Sequence, residues 1–403
     1  MQESRGVGAP PKRSGREHMG SREFRTFSRG TGLVLATAMV LTACSSGTSS
    51  QPAAPAPAPA APQPAAPAVE GQDFTITVGF GHSPGMITYA TMMDDWFVPE
   101  LEKRVAERTP HTLTVREAYG GSVATHAEVM TATRDGLLDI GVVTYPFEAA
   151  NLYLHNLTFF VPFGSPDVAT TLSAARSAFE QNPEMIDVLE RDWNQRLIGL
   201  MAIDDYNLIT TFPVNSLADL RGRRIAAAGP NLPWLEPVGA TPIQGALTEA
   251  YTGLQTGVYD GWIMMAASTV GANLHEVAKY WTEVNFGAAL TGGVHINLDT
   301  LNRFPADVQE IILELGAEFE ALTPERVAAD TARALQTMRD AGVTFSTLPA
   351  ADRQAWADAL PNIPNLRATE ANELGLPGTQ VLQTYLASLS RAGYAPPRSW
   401  SID

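Results

Sequence analysis

From Phe74 onward the chain alternates short apolar runs with longer stretches of helical period, and no other feature constrains its fold as tightly. Phe74–Phe80 (FTITVGF) reads as a strand. The stretch 88–109 has helical period, with a kink expected at Pro99. Strand-like runs return at 113–119, 137–143, 196–203, 223–229, 259–265 and 292–298, with helical stretches at 124–136 and 248–257 between them. Residues 305–342 read as one long helix, interrupted or bent at Pro324. Strand–helix alternation predicts open, mostly parallel sheets that hold ligands at the carboxyl ends of their strands. The 331 residues from Asp73 are enough for two domains.

What precedes this body cannot build a core. Arg22, Arg25 and Arg29 form a basic region ahead of a short apolar run, Leu33 to Leu41. That run is about half the ~20 residues a membrane-spanning helix needs, so 1–44 reads as a secretion leader, with Met19 the expected start. Leu41-Thr42-Ala43-Cys44 closes it and resembles the bacterial lipobox, which makes Cys44 the expected lipid-modified residue and a membrane anchor. Cys44 is also the only cysteine, excluding intrachain disulfides, C-x-x-C redox chemistry and cysteine-rich zinc sites. Residues 45–72, rich in Pro and Ala, favour extended polyproline conformations and read as a semi-stiff tether. Residues 1–43 hold seven of the 27 basic and three of the 43 acidic side chains, so the remainder carries 20 basic against 40 acidic. So acidic a body argues against nucleic acid or anionic lipid as partners.

Gly81-His82-Ser83-Pro84-Gly85 matches the G-x-S-x-G of a hydrolase nucleophile elbow, which would make Ser83 a nucleophile in a lipid-anchored hydrolase. Two features oppose that. The motif follows the first strand of the body, not a central one. Its oxyanion donor would be the backbone N–H of Pro84, which has none. Ser83 reads better as a loop residue lining a cleft.

Four segments share order and spacing with one family. Residues 134–143 (RDGLLDIGVV), 216–229 (SLADLRGRRIAAAG), 239–262 (GATPIQGALTEAYTGLQTGVYDGW) and 301–314 (LNRFPADVQEIILE) resemble motifs of the DctP-type solute-binding proteins of TRAP (tripartite ATP-independent periplasmic) transporters. The resemblance covers about residues 74–350. It implies a two-domain α/β fold of the periplasmic-binding-protein type (type II-like), with a hinge and a long connecting helix. Carried onto this chain, the first domain takes 73–203 and 290–328, and the second 204–289 and 329–403. It implies capture of a small organic ligand without chemistry and delivery to TRAP-type permease subunits in the membrane, with no cofactor. A sensory lipoprotein signalling to a receptor is the alternative.

Departures from the family pattern carry the site expectations. The family's carboxylate-gripping arginine falls on Ala226, and a second arginine position falls on Tyr206. Leu247 and Met264 stand where aromatic and polar residues are frequent, and Trp262 lies beside them. The first-domain wall is expected from His82, Ser83, His126, Thr144 and Tyr145. Arg224 is the candidate substitute anchor; otherwise Arg221, Arg223 and Arg224 form a solvated strand entrance. Asp204 and Asp205 are expected to cap the hinge, with reception of a cationic ligand group as the other reading. Trp234 is assigned to core or cleft alike, and His111, His155, His275 and His295 to structure. A pocket so short of charge predicts a neutral, aromatic or weakly polar ligand and not a simple dicarboxylate.

Overall fold

The computed structural model describes residues 70–403; the leader, nearly all of the tether, and Cys44 with its expected anchor lie outside them. Eleven strands form two sheets. They are β1 (Asp73–Gly79), β2 (Thr112–Ala118), β3 (Ile140–Thr144), β4 (Gln195–Asp205), β5 (Asn207–Thr210), β6 (Arg224–Ala227), β7 (Thr241–Gln244), β8 (Gly261–Met264), β9 (Tyr280–Glu283), β10 (Ala288–Asn297) and β11 (Thr344–Thr347). The first sheet runs β2-β1-β3-β10-β4 and the second β11-β9-β5-β8-β6-β7. In the first, β1 is parallel to β2 and β3, while β10 is antiparallel to β3 and β4. The alternation of the sequence is therefore a mixed α/β fold with two separate sheets.

Three segments pass from one sheet to the other. Tyr206 alone separates β4 from β5, residues 284–287 separate β9 from β10, and the helix Ala306–Asp340 leads to β11. The first two are tied together, for Tyr206 N–H donates to Gly287 O at 3.2 Å and Phe286 N–H to Tyr206 O at 3.1 Å. The long helix lies directly on β4. A Cβ on Gly199 would stand 2.2 Å from Gly316 O, and one on Gly316 2.4 Å from Ile198 O, so only this glycine pair permits the contact.

Two helical expectations change. Pro324 does not interrupt the long helix, which is continuous over 35 residues. A proline removes one N–H donor, and Thr323 Oγ1, one residue before it, donates to Phe319 O at 2.8 Å. Pro99 lies inside a helical run continuous from Thr88 to Arg108, and the irregularity of that run, a π-helical turn at Met93–Phe97, precedes it. The tail also divides. β11 and the helix Ala350–Ala359 pack with the second sheet, where Trp356 Nε1–H donates to Trp234 O at 2.7 Å. The helices Ile363–Glu373 and Gly378–Arg391 return to the first sheet. There Leu382, Tyr385 and Leu389 share a core with Ala175 and Phe179 of the helix Val168–Gln181. An assignment of all of 329–403 to the second domain thus needs dividing near residue 360. Among the described residues no helix is long and apolar enough to cross a membrane.

Candidate ligand-binding site

Strand ends from both sheets converge on one cavity. The first sheet contributes His82 past the end of β1, Thr144 at the end of β3, and Pro146 and Phe147 of the 3-10 turn that follows. The second contributes Trp262, Ile263 and Met264 of β8, Ala228 past the end of β6, and Gly245 and Leu247 after β7. Ile203 and Tyr206 reach it from the crossing strand. The enclosed space is about 70 Å3. The site is a narrow, mostly apolar slot.

Its polar groups are few and uncharged. His82 Nδ1 lies 2.6 Å from Tyr89 Oη, and the His126 ring packs on His82 with centroids 3.8 Å apart. Burial, helped by the neighbouring His126, pushes His82 well below the usual imidazole range; burial alone lowers His126. Both rings are neutral near pH 7. Tyr89 and Tyr206 are pushed up by burial and stay protonated. Thr144 Oγ1 and His126 Nδ1 are buried without a hydrogen-bond partner among the described residues. No lysine, arginine, aspartate or glutamate of the described residues lines the slot.

The ten expected site residues separate into two groups. His82, Thr144, Tyr206, Leu247, Trp262 and Met264 line the cavity. His126 stands behind His82 and is stacked on Phe147, so it supports the wall from outside. Ser83 is exposed in a turn where Met86 N–H donates to its carbonyl, and no hydrogen bond among the described residues joins its Oγ to a histidine. Tyr145 points away, into the core, with Oη 3.1 Å from His295 Nε2. Ala226 is fully buried within the second sheet, level with Trp262 on the neighbouring strand; Ala228, two residues on, lines the slot.

Other residues fall as follows. Arg224 is bound to Asp260 at the exposed entrance of β6, and the Arg223 guanidinium lies 4.2 Å over the Phe212 ring. Asp204 accepts from Ala266 N–H, Ala267 N–H and Thr331 Oγ1–H, and Asp205 from Gly287 N–H and Asn207 Nδ2–H. Both acids therefore brace the crossing. Trp234 is core, packed on Phe159 and Phe286. His111, His155, His275 and His295 are buried. Sequence reasoning passed over Ile87, Tyr89, Phe147, Gly245 and Met265. Only Tyr89 had a usable signal, as an aromatic on the first helical turn after the His82 loop.

Comparison with known proteins agrees with this architecture. The family model of the bacterial extracellular solute-binding proteins, family 7 (DctP), matches residues 94–365. A C4-dicarboxylate-binding periplasmic protein DctP of Rhodobacter capsulatus is 34% identical over 127 residues, 31% of this chain and 38% of that protein. A solute-binding protein of Sulfitobacter sp. (strain NAS-14.1) is 30% identical over 149 residues, 36% of this chain and 45% of that protein. The chain thus spans less than half the length of these two relatives. A TRAP solute-binding protein from Rhodoferax ferrireducens T118, solved with copurified benzoate, superposes with a TM-score of 0.70 at 18% identity. That match covers 79% of this chain and 98% of the other.

Proposed function

The chain belongs to the bacterial extracellular solute-binding protein family 7 (DctP), a family of binding proteins and not of enzymes, and from that premise we propose that it captures a small organic solute in the slot and delivers it to a TRAP-type permease. One observation carries the reading: strand ends of both sheets meet on one apolar cavity with a few uncharged polar groups. The solute is not a simple dicarboxylate. An anion taken into such a slot loses its hydration and meets no cation there.

Capture works by closure about the crossing segments. Residues 73–203 and 290–328 form one domain, and 204–289 with the tail to about residue 360 the other. The paired strand ends at Tyr206 and Gly287 act as the hinge, braced by Asp204 and Asp205. Cys44 carries the lipid anchor, and the Pro/Ala tether holds the body clear of the cell membrane on its outer side.

A thermal-shift screen against a broad metabolite set tests this, followed by solution scattering with each hit. A ligand should raise the melting temperature in a concentration-dependent way and shrink the radius of gyration. A tight ligand that leaves the radius unchanged would remove the closure mechanism. A screen with no shift at all would remove solute capture itself.

A further inference from the structure

The two walls of the slot differ in kind. On the second-sheet wall Trp262 is fixed by missing side chains. A Cβ on Gly245 would stand 2.7 Å from Trp262 Cη2, and one on Gly253 2.0 Å from Tyr259 Cε2. Tyr259 fills the second gap and meets the indole edge-on, centroids 5.0 Å apart at 76°. Trp262 is thereby wedged between bare backbone and a tyrosine ring, and it offers a rigid aromatic surface.

The first-sheet wall holds spare hydrogen-bonding capacity. Thr144 is 4% exposed, yet its Oγ1 has no partner among the described residues. A buried hydroxyl left unpaired is costly, and a ligand can supply what the protein does not. His82 is 5% exposed, and its one side-chain hydrogen bond among the described residues joins Nδ1 and Tyr89 Oη. With Tyr89 Oη–H donating to that nitrogen, the proton of neutral His82 lies on Nε2. His82 then presents an N–H donor with no acceptor among the described residues, its ring packed against that of His126.

We infer that the slot takes a planar aromatic molecule carrying an uncharged oxygen acceptor, its ring against Trp262 and its oxygen held by His82 Nε2–H and Thr144 Oγ1–H. This rests on the solute-capture reading and adds the solute's class and orientation. Recognition is by neutral donors on the first-sheet wall. Carboxylates are selected against because neither wall supplies a positive charge.

The test titrates the full chain and its Thr144→Val variant calorimetrically with acetophenone, benzamide, benzoate and cyclohexyl methyl ketone. Any solute released from the purified protein on denaturation is identified by mass spectrometry. Acetophenone and benzamide should bind at least about tenfold tighter than benzoate or the non-aromatic ketone. Thr144→Val keeps the shape and removes the unpaired hydroxyl, so it should weaken both about five- to tenfold while the ligand-free melting temperature holds or rises. Benzoate binding as tightly as benzamide, or a Thr144→Val titration matching the wild type, overturns the inference. If all four probes fail, the released solute decides. A neutral aromatic oxygen compound upholds the inference, whereas a carboxylate or a ringless compound overturns it and leaves solute capture standing. No binding and no released solute sink both.

Discussion

Arg224 is bound to Asp260, with Nη2 2.8 Å from Oδ1 and its own backbone N–H 2.8 Å from Oδ2. The guanidinium is thus committed at the solvent-facing start of β6. Ala226, where the family arginine would stand, has its side chain buried in the sheet. Replacing Arg224 by Ala should therefore change affinity for any slot ligand by less than about twofold, since it breaks only an exposed pair. A tenfold loss by calorimetry would mean that Arg224 leaves Asp260 and reaches the ligand.

Gly245→Ala drives a methyl into Trp262 Cη2 at 2.7 Å and Tyr259 Oη at 3.1 Å. Overpacking of this kind costs about 1–3 kcal/mol, shared between lost stability and displacement of the indole. Displacement narrows the slot, so affinity should fall about tenfold. Unchanged affinity together with an unchanged melting temperature would show that Trp262 is free to move aside.

On the proposed anchor, Cys44→Ser should transfer the protein from the membrane fraction to soluble extracytoplasmic material, because the thiol that takes the lipid is gone. Fractionation identical to the wild type would rule out the lipid anchor.

How far the sequence disclosed the site depends on phase. His82 and Thr144 were found because a strand's last residue fixes where the next loop opens. Trp262 and Met264 reach the cavity at positions that the family resemblance, not strand alternation, pointed to, for Ile263 between them lines it as well. Tyr145 was expected from the end of β3 and Ala226 from the family's arginine position, and neither lines it. The 3-10 turn beginning at Tyr145 reverses its side chain into the core toward His295, and the face of β6 that carries Ala226 is covered. Gly245 was not legible because its importance lies in a long-range contact to Trp262 that no period encodes, whereas Tyr89, seven residues from His82, carried a local signal. The crossing strands were expected only through family likeness, whereas the long helix was legible in the pattern of 305–342. That helix runs on past Pro324 and packs against β4.

Two buried histidines make the fold acid-sensitive. Burial pushes His155 down to about 4 and His295, with His155 nearby, down to about 3. Both lie below the unfolded value of about 6.5, so the unfolded chain takes up these protons first. Their contribution is complete above pH 6.5 and is lost as pH falls toward 4 and 3. In His295→Gln, whose amide can still accept from Tyr145, the loss of unfolding free energy between pH 7 and 5 should shrink by about 2 kcal/mol. Parallel pH profiles for the two proteins in urea denaturation would show that His295 titrates normally.

Asp204 acts in the opposite sense. It is buried where β4 leaves the first sheet, and it accepts from Ala266 N–H at 3.1 Å, Ala267 N–H at 3.4 Å and Thr331 Oγ1–H at 2.8 Å. Burial raises its carboxyl to about 6 against the pull of those donors, and Asp205 beside it is raised to about 7. A folded value above the unfolded one of about 3.9 means that the folded state holds this proton more tightly. The Asp204 contribution is therefore greatest below pH 4, and about 3 kcal/mol of it is lost as pH rises through 6. Asp204→Asn keeps an acceptor for the helix N–H groups and removes the charge. Its stability relative to wild type should rise steadily from pH 4 to pH 7. Asp204→Ala leaves three donors without their acceptor, so it should be the less stable protein at every pH by about 2–4 kcal/mol. If the Asn variant and the wild type instead keep a constant difference across that range, the three donors alone suffice to hold a charged carboxylate at the hinge.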